Sequence, residues 1–168
     1  IIGAGEGWVV ISKPAGLLSV PGKDPIYQDS VLTRIQKKYP QAKGGMVVHR
    51  LDLPTSGLMV FALSPEVLTK LNQQFSLRSV QKTYTAVLVR KPLYQSADGY
   101  LPLRLDPFQR PVQIYDPVHG KPCHTRWRCM DENHPAGILV ELEPLTGRTH
   151  QLRVHAAHPL GLNAPIVG

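Results

Sequence analysis

Cysteine is nearly absent from this chain of 168 residues: only Cys123 and Cys129 occur. Two thiols are too few for a disulfide scaffold, so a reducing, cytoplasmic setting is the simplest reading. No run of 18 or more apolar residues appears, so no membrane-spanning helix is expected. No secretory leader is visible, although the chain opens on Ile1 and its natural start is expected upstream. Internal repeats and low-complexity stretches are lacking. Acidic residues are scarce, 12 against 19 Lys and Arg, which leaves a net charge of +7. Such a surface attracts polyanions, and nucleic acid leads as a partner class. Charge alone describes an incidentally basic protein equally well. No basic amphipathic helix points to a membrane surface.

The composition that remains is globular, with 42% hydrophobic and 18% charged residues. The length suits a single domain over 1–168 with its own apolar core. Sixteen prolines and fourteen glycines predict many short elements. Trp8 to Ile11 reads as a buried strand stopped by Lys13-Pro14-Ala15-Gly16. Asp29 or Ser30 caps a helix running to about Tyr39, with Val31, Leu32, Ile35 and Tyr39 on its apolar face. Met46–Val48 and Leu58–Leu63 read as strands around a loop from His49 to Gly57. Ser64-Pro65 opens a second helix with a buried stripe of Val67, Leu68, Leu71 and Phe75. Thr83–Val89, Val112–Tyr115, Thr125–Cys129 and Ile138–Leu142 read as strands, and alternation around Glu141 and Glu143 predicts one wet face. A last helix follows Thr146-Gly147. The fold class is α+β, a mainly antiparallel mixed sheet with flanking helices.

The chemistry concentrates in Val48-His49-Arg50-Leu51-Asp52-Leu53-Pro54-Thr55-Ser56-Gly57. A strand-bounded loop presents side chains accurately, and nearby cations keep Asp52 ionised. A charged carboxylate acts as nucleophile or base without prior activation. Taken alone, an Asp in such a loop is more often a turn residue bonding local amides, and a lone Arg is usually solvated.

The order of residues shifts that balance. His49-Arg50-Leu51-Asp52 followed by Thr55-Ser56-Gly57 and an apolar strand resembles the signature of the RluA-type pseudouridine synthases. Lys13-Pro14-Ala15-Gly16, Lys82-Thr83-Tyr84, Gly120-Lys121-Pro122 with Thr125, and Gly147-Arg148-Thr149-His150-Gln151-Leu152-Arg153-Val154-His155 resemble further motifs of that family, in order. Gly16-Leu17-Leu18-Ser19-Val20-Pro21-Gly22 and Asp29-Ser30-Val31-Leu32-Thr33-Arg34-Ile35-Gln36 resemble the branch acting on hairpin loops of 23S ribosomal RNA, tRNA or both.

The resemblance implies a pseudouridine synthase catalytic fold and an isomerase that needs no cofactor and no metal. The uracil N1–C1′ bond breaks, the base turns, and C5 joins C1′. Asp52 attacks or deprotonates the everted uridine, and the path is left open. Arg148 pairs with Asp52, its guanidinium fork fitting a carboxylate. Tyr84 stacks on the base and assists loss of the C5 proton. Arg50 fills the space left by the base, offsetting part of the unstacking cost. Leu152 lines the uracil pocket, and His49, Lys13, Lys82 and Arg153 contact RNA. The implied partner is a structured stem-loop of 23S ribosomal RNA or tRNA, bound by a monomer. The family domain continues beyond a position like Gly168, so it is expected to be incomplete at the C-terminus with sheet edges open. No separate RNA-binding domain is expected.

Three rival readings are weaker. A non-catalytic RNA-binding protein explains the charge but not an acid within His-Arg-Leu-Asp. Zinc held by Cys123, His124, Cys129 and His134 lacks zinc-site spacing. His150 and His155 lie five apart, not on one helical face, and no nucleophile motif accompanies them.

Overall fold

In the computed structural model, residues 1–42 and 45–168 are described. They fall into two compact units, Ile1–Ser79 and Val80–Gly168. All strand ladders are antiparallel and form sheets of three, four and two strands. The structure is therefore α+β, with its ladders divided among three sheets.

The first unit opens with a hairpin of β1 (Gly3–Gly5) and β2 (Trp8–Lys13), turning through Gly7 at φ +79°. Gly-Ala-Gly carries no apolar alternation, so β1 is invisible to pattern reading. Its glycine is nonetheless required, because a Cβ on Gly5 would lie 2.6 Å from the Trp8 indole. Val9 and Ile11 of β2 point into the core. Helix α1 (Val31–Lys38) starts at Ser30, whose hydroxyl accepts from Thr33 N while Thr33 returns a bond to Ser30 N. Such a cap contributes about 1 kcal/mol. Asp29, the other candidate cap, pairs with Arg34 instead. Strand β3 (Gly57–Ala62) lies beside β2 and buries Met59, Phe61 and Ala62. Helix α2 (Pro65–Ser76) begins at the Ser64 cap. Its stripe of Val67, Leu68, Leu71 and Phe75 is half-buried, shallower than the spacing suggests.

Met46–Val48 is not a strand. Only Val47 bridges β3, at Phe61, and Met46 O accepts from Ala62 N. The next amide facing that edge, Val60 N–H, donates to Nε2 of the His49 ring at 3.2 Å. An imidazole therefore takes the place of the backbone carbonyl that would continue the ladder.

The second unit contains β4 (Tyr84–Leu88), β5 (Ser96–Tyr100), a small hairpin of β6 (Leu103–Leu105) and β7 (Gln113–Tyr115), β8 (His124–Asp131), β9 (Ile138–Pro144) and α3 (Gln151–Ala157). The four-stranded sheet runs β4-β9-β8-β5. Strands β5 and β6 escaped sequence reading because Ser-Ala-Asp-Gly and a three-residue segment give little periodicity. Trp127, Val140 and Leu142 face inward to join Leu88, Ala156, Leu162 and Ala164 in one core. On the opposite face, Arg128 meets Glu141 at 2.7 Å and Arg126 meets Glu143 at 3.0 Å. This is the wet face that the alternation predicts. Beyond α3 the chain returns along the outer edge of β4, where Ile166 bridges Leu88 and Val167 N donates to Val87 O. That edge is met rather than left open.

His155 of α3 is only 1% exposed. Its Nε2 lies 3.3 Å from the Leu101 carbonyl, which can only accept, so Nε2 carries the proton. Nδ1 has no hydrogen-bond partner. Burial pushes the imidazole from its ordinary 6.5 down to about 4, against the opposing pull of the Leu101 carbonyl. The unfolded chain takes up this proton as pH falls through 6.5, whereas the folded chain resists until about 4. The stabilisation is thus complete above pH 6.5 and is lost between 6.5 and 4. The loss should reach about 3 kcal/mol. Urea unfolding across this range checks it, and His155→Leu should flatten the slope.

Candidate active site

Asp52 is half-buried, and the backbone on both sides of it is held by residues distant in sequence. Before it, the buried Ser19 hydroxyl donates to Leu51 O at 2.6 Å and accepts from Leu51 N at 3.0 Å. One hydroxyl thereby satisfies both main-chain polar groups of a buried residue, as a neighbouring strand would. After it, Leu53 O accepts from Gly16 N at 2.9 Å and from the Lys13 ammonium at 3.2 Å. Asp52 O then closes a turn with Thr55 N. The 17–20 segment is tied in turn to the start of α1, where Val31 N and Leu32 N donate to Leu18 O and Ser19 O. The loop around the carboxylate is thus built into the first unit.

Lys13 corrects an expectation. It is fully buried, and its ammonium donates to Pro14 O, Leu17 O and Leu53 O. An ammonium has three protons, and all three are committed to backbone carbonyls. It is a strut under the Asp52 loop and not a phosphate contact. Burial lowers its pKa, and the negative charge of Asp52 opposes that shift.

His49 is likewise turned inward. Its Nε2 accepts from Val60 N, and its ring stacks on Phe75 with centroids 4.9 Å apart. Arg50 between these anchors is exposed. The structure therefore separates two neighbours that the sequence assigns alike to RNA.

In the second unit, Tyr84 opens β4 opposite Leu142 of β9. Tyr84 and Leu152 of α3 are both partly buried against the same apolar cluster. Arg148 lies in the turn before α3, half-buried, with Nε 3.3 Å from Pro122 O. Lys82 donates to Thr146 O at 3.2 Å, bracing this turn as Lys13 braces the other loop. Arg153 is exposed on α3. His150 has φ 53°, a left-handed conformation uncommon outside glycine, at the point where the turn enters the helix.

Gln151 organises this turn and was missed as a site residue. It is 3% exposed. Its Oε1 accepts from Thr146 Oγ1 at 2.8 Å and Arg148 N at 3.0 Å. Its Nε2 donates to His124 O at 2.8 Å and Thr125 Oγ1 at 2.9 Å. All four bonding positions of the amide are filled. The Gly120-Lys121-Pro122…Thr125 segment is thereby joined to the Arg148 turn, through Pro122 and Thr125. Gly120 is fixed by crowding, since a Cβ there would fall 2.3 Å from Asp116 O. The available signal was a polar residue four before His155 on the inner face of α3. Ser19 carried a similar one, a small hydroxyl within Leu17-Leu18-Ser19-Val20.

The residues of the zinc reading are occupied separately. Cys123 is buried near Thr146 Oγ1, and Cys129 packs on the apolar cluster. His124 Nε2 sits 2.7 Å from Asp98 Oδ1, and its ring stacks on Tyr100. His134 Nδ1 accepts from Ala136 N. Among the described residues no helix is long and apolar enough to cross a membrane.

Replacing Lys13 by Met would remove three hydrogen bonds, taking this donor from Pro14 O and Leu17 O while Leu53 O keeps the Gly16 amide. The expected cost is about 3 kcal/mol, counting about 1 for each lost bond. A lowered urea midpoint for the purified protein, with Lys13→Arg failing to restore it, is the measurement.

The chain matches the RNA pseudouridylate synthase family over residues 7–158. It is 42% identical over 165 residues to the dual-specificity RNA pseudouridine synthase RluA of Salmonella typhi, covering 97% of this chain and 72% of that protein. The Escherichia coli K12 protein of the same name is 43% identical over 162 residues, covering 95% and 70%. Among solved structures, human RNA pseudouridylate synthase domain containing 4 superposes with a TM-score of 0.74 at 27% identity, covering all of this chain and 66% of that one. Human RNA pseudouridylate synthase domain containing 1 gives 0.77 at 25%, covering 98% and 65%. The chain thus spans about seven-tenths of the bacterial relatives and just under two thirds of the human ones. With Asp52 in a braced loop and the Arg148 turn held by Gln151, these matches settle the family: the chain belongs to the RNA pseudouridylate synthases.

Proposed function

We propose that this chain isomerises selected uridines to pseudouridine in hairpin loops of 23S ribosomal RNA, tRNA or both. The observation that carries the reading is the similarity to RluA proteins over nearly the whole chain, on a structure that braces the loop bearing Asp52. The reaction conserves atoms and electrons. C1′ leaves N1, the base turns, C1′ bonds to C5, the C5 proton departs and N1 regains one.

In this proposal Asp52 is the catalytic carboxylate, acting on the everted uridine by attack or by proton removal. Arg148 is assigned as its guanidinium partner, a role consistent with a fork that donates to carboxylates and always carries charge. Tyr84 stacks on the base and its hydroxyl assists loss of the C5 proton, and Leu152, packed on the same cluster, supplies apolar lining. Arg50, exposed beside a fixed backbone, fills the place of the everted base. Arg153 meets phosphate. Residues 1–168 are read as a single catalytic domain, cytoplasmic and monomeric, to which both units contribute motif residues and which needs no cofactor or metal.

Unmodified tRNA transcripts and hairpin fragments of 23S ribosomal RNA, incubated with the protein and mapped for pseudouridine, test the reading. Asp52→Asn should abolish product while RNA affinity stays within about tenfold, or about 1.4 kcal/mol. Normal turnover by that variant would refute the mechanism.

Arg50→Ala should slow reaction on a folded hairpin more than on one whose target base is already unstacked. The contrast reflects an unstacking cost of about a few kcal/mol that only the folded hairpin imposes. Equal losses on both would count against base replacement.

A further inference from the structure

We infer that His49 is a positioning residue that sets Arg50 and Asp52, rather than a contact to RNA. The inference rests on the proposed isomerase reading and assigns His49 its part in it.

Three observations converge. Val60 N–H donates to Nε2 of His49, so this nitrogen bears no proton and works as a fixed acceptor on the edge of β3. The ring lies face to face with Phe75 of α2, interplanar angle 19°, which holds the imidazole in plane as well as in position. Two residues further on, Leu51 is clamped at both N and O by Ser19. Arg50 therefore stands between a ring-anchored and a backbone-clamped neighbour, and Asp52 follows the second clamp directly. The imidazole ends strand pairing after Val47 and hands the chain into the loop. A carbonyl in its place would continue the ladder and carry residues 49 and 50 along the sheet. Catalytic side chains held by such supports start near the reactive geometry, and small displacements cost rate rather than affinity.

The test compares His49→Phe, which keeps the stacking and removes the acceptor, with His49→Gln, whose side-chain carbonyl can still receive Val60 N–H. Both are assayed on the RNA that the wild-type protein modifies. His49→Phe should lower single-turnover kcat between about tenfold and a hundredfold. RNA Kd should stay within about twofold, and His49→Gln should recover most of the rate, because a surviving acceptor keeps the support. A loss that falls wholly in RNA affinity would restore His49 to the RNA surface and overturn the inference. An unchanged kcat in His49→Phe would overturn it too, as would equal losses in both variants. Backbone amide NMR provides a readout free of turnover. Ordered Arg50 and Asp52 amides in the wild type and His49→Gln, broadened in His49→Phe, support positioning; identical spectra refute it. If the wild-type protein modifies none of these RNAs, the isomerase reading fails, and the amide spectra alone decide the role of His49.

Discussion

The carbonyl of Leu53 is the point on which the Asp52 loop depends. It receives the Lys13 ammonium and the Gly16 amide, and through them the end of β2 and the turn that follows it hold the residue next to the carboxylate. A buried ammonium is costly to desolvate, and only a full set of acceptors offsets that cost. Here Pro14, Leu17 and Leu53 complete the set. The Lys-Pro-Ala-Gly motif and the His-Arg-Leu-Asp motif are thus one structure, although 36 positions separate Lys13 from His49.

The second unit reaches the same end chiefly through a neutral amide. Gln151 links three chain segments through an amide with every donor and acceptor engaged, and Lys82 adds one more bond from outside the turn. Both arrangements place polar side chains in apolar surroundings to fix a backbone. Such groups stabilise only when fully satisfied, and they then specify one geometry. His155, four residues after Gln151, is the exception, with a ring nitrogen left without a partner.

Much of this was legible before the structure. Apolar periodicity and caps located both long helices, and the alternation through Glu141 and Glu143 foretold the solvated face. The motif order named the family. What pattern reading lost had physical causes. Strand β1 is glycine-rich because Trp8 needs the room, so it lacks any apolar signal. Met46–Val48 has the composition of a strand but loses its ladder to the His49 ring. A basic residue in a turn usually reads as a surface cation, and nothing local in the sequence shows that the Lys13 ammonium bonds Leu53 O, 40 positions away, as well as the nearby Pro14 O and Leu17 O. Ser19 and Gln151 act through contacts with residues up to 32 positions away, which no local window sees.

The ion pairs of the structure bear on how salt would govern association with a polyanion. Arg34, Lys70, Lys91, Arg104, Arg126 and Arg128 each face a carboxylate of the chain itself, and Lys13 is sealed inside. Cations already neutralised in this way release few counterions when a phosphate chain arrives. The sensitivity of binding to ionic strength therefore follows the remaining exposed cations, Arg50 among them, and falls well short of what a total of 19 basic residues implies.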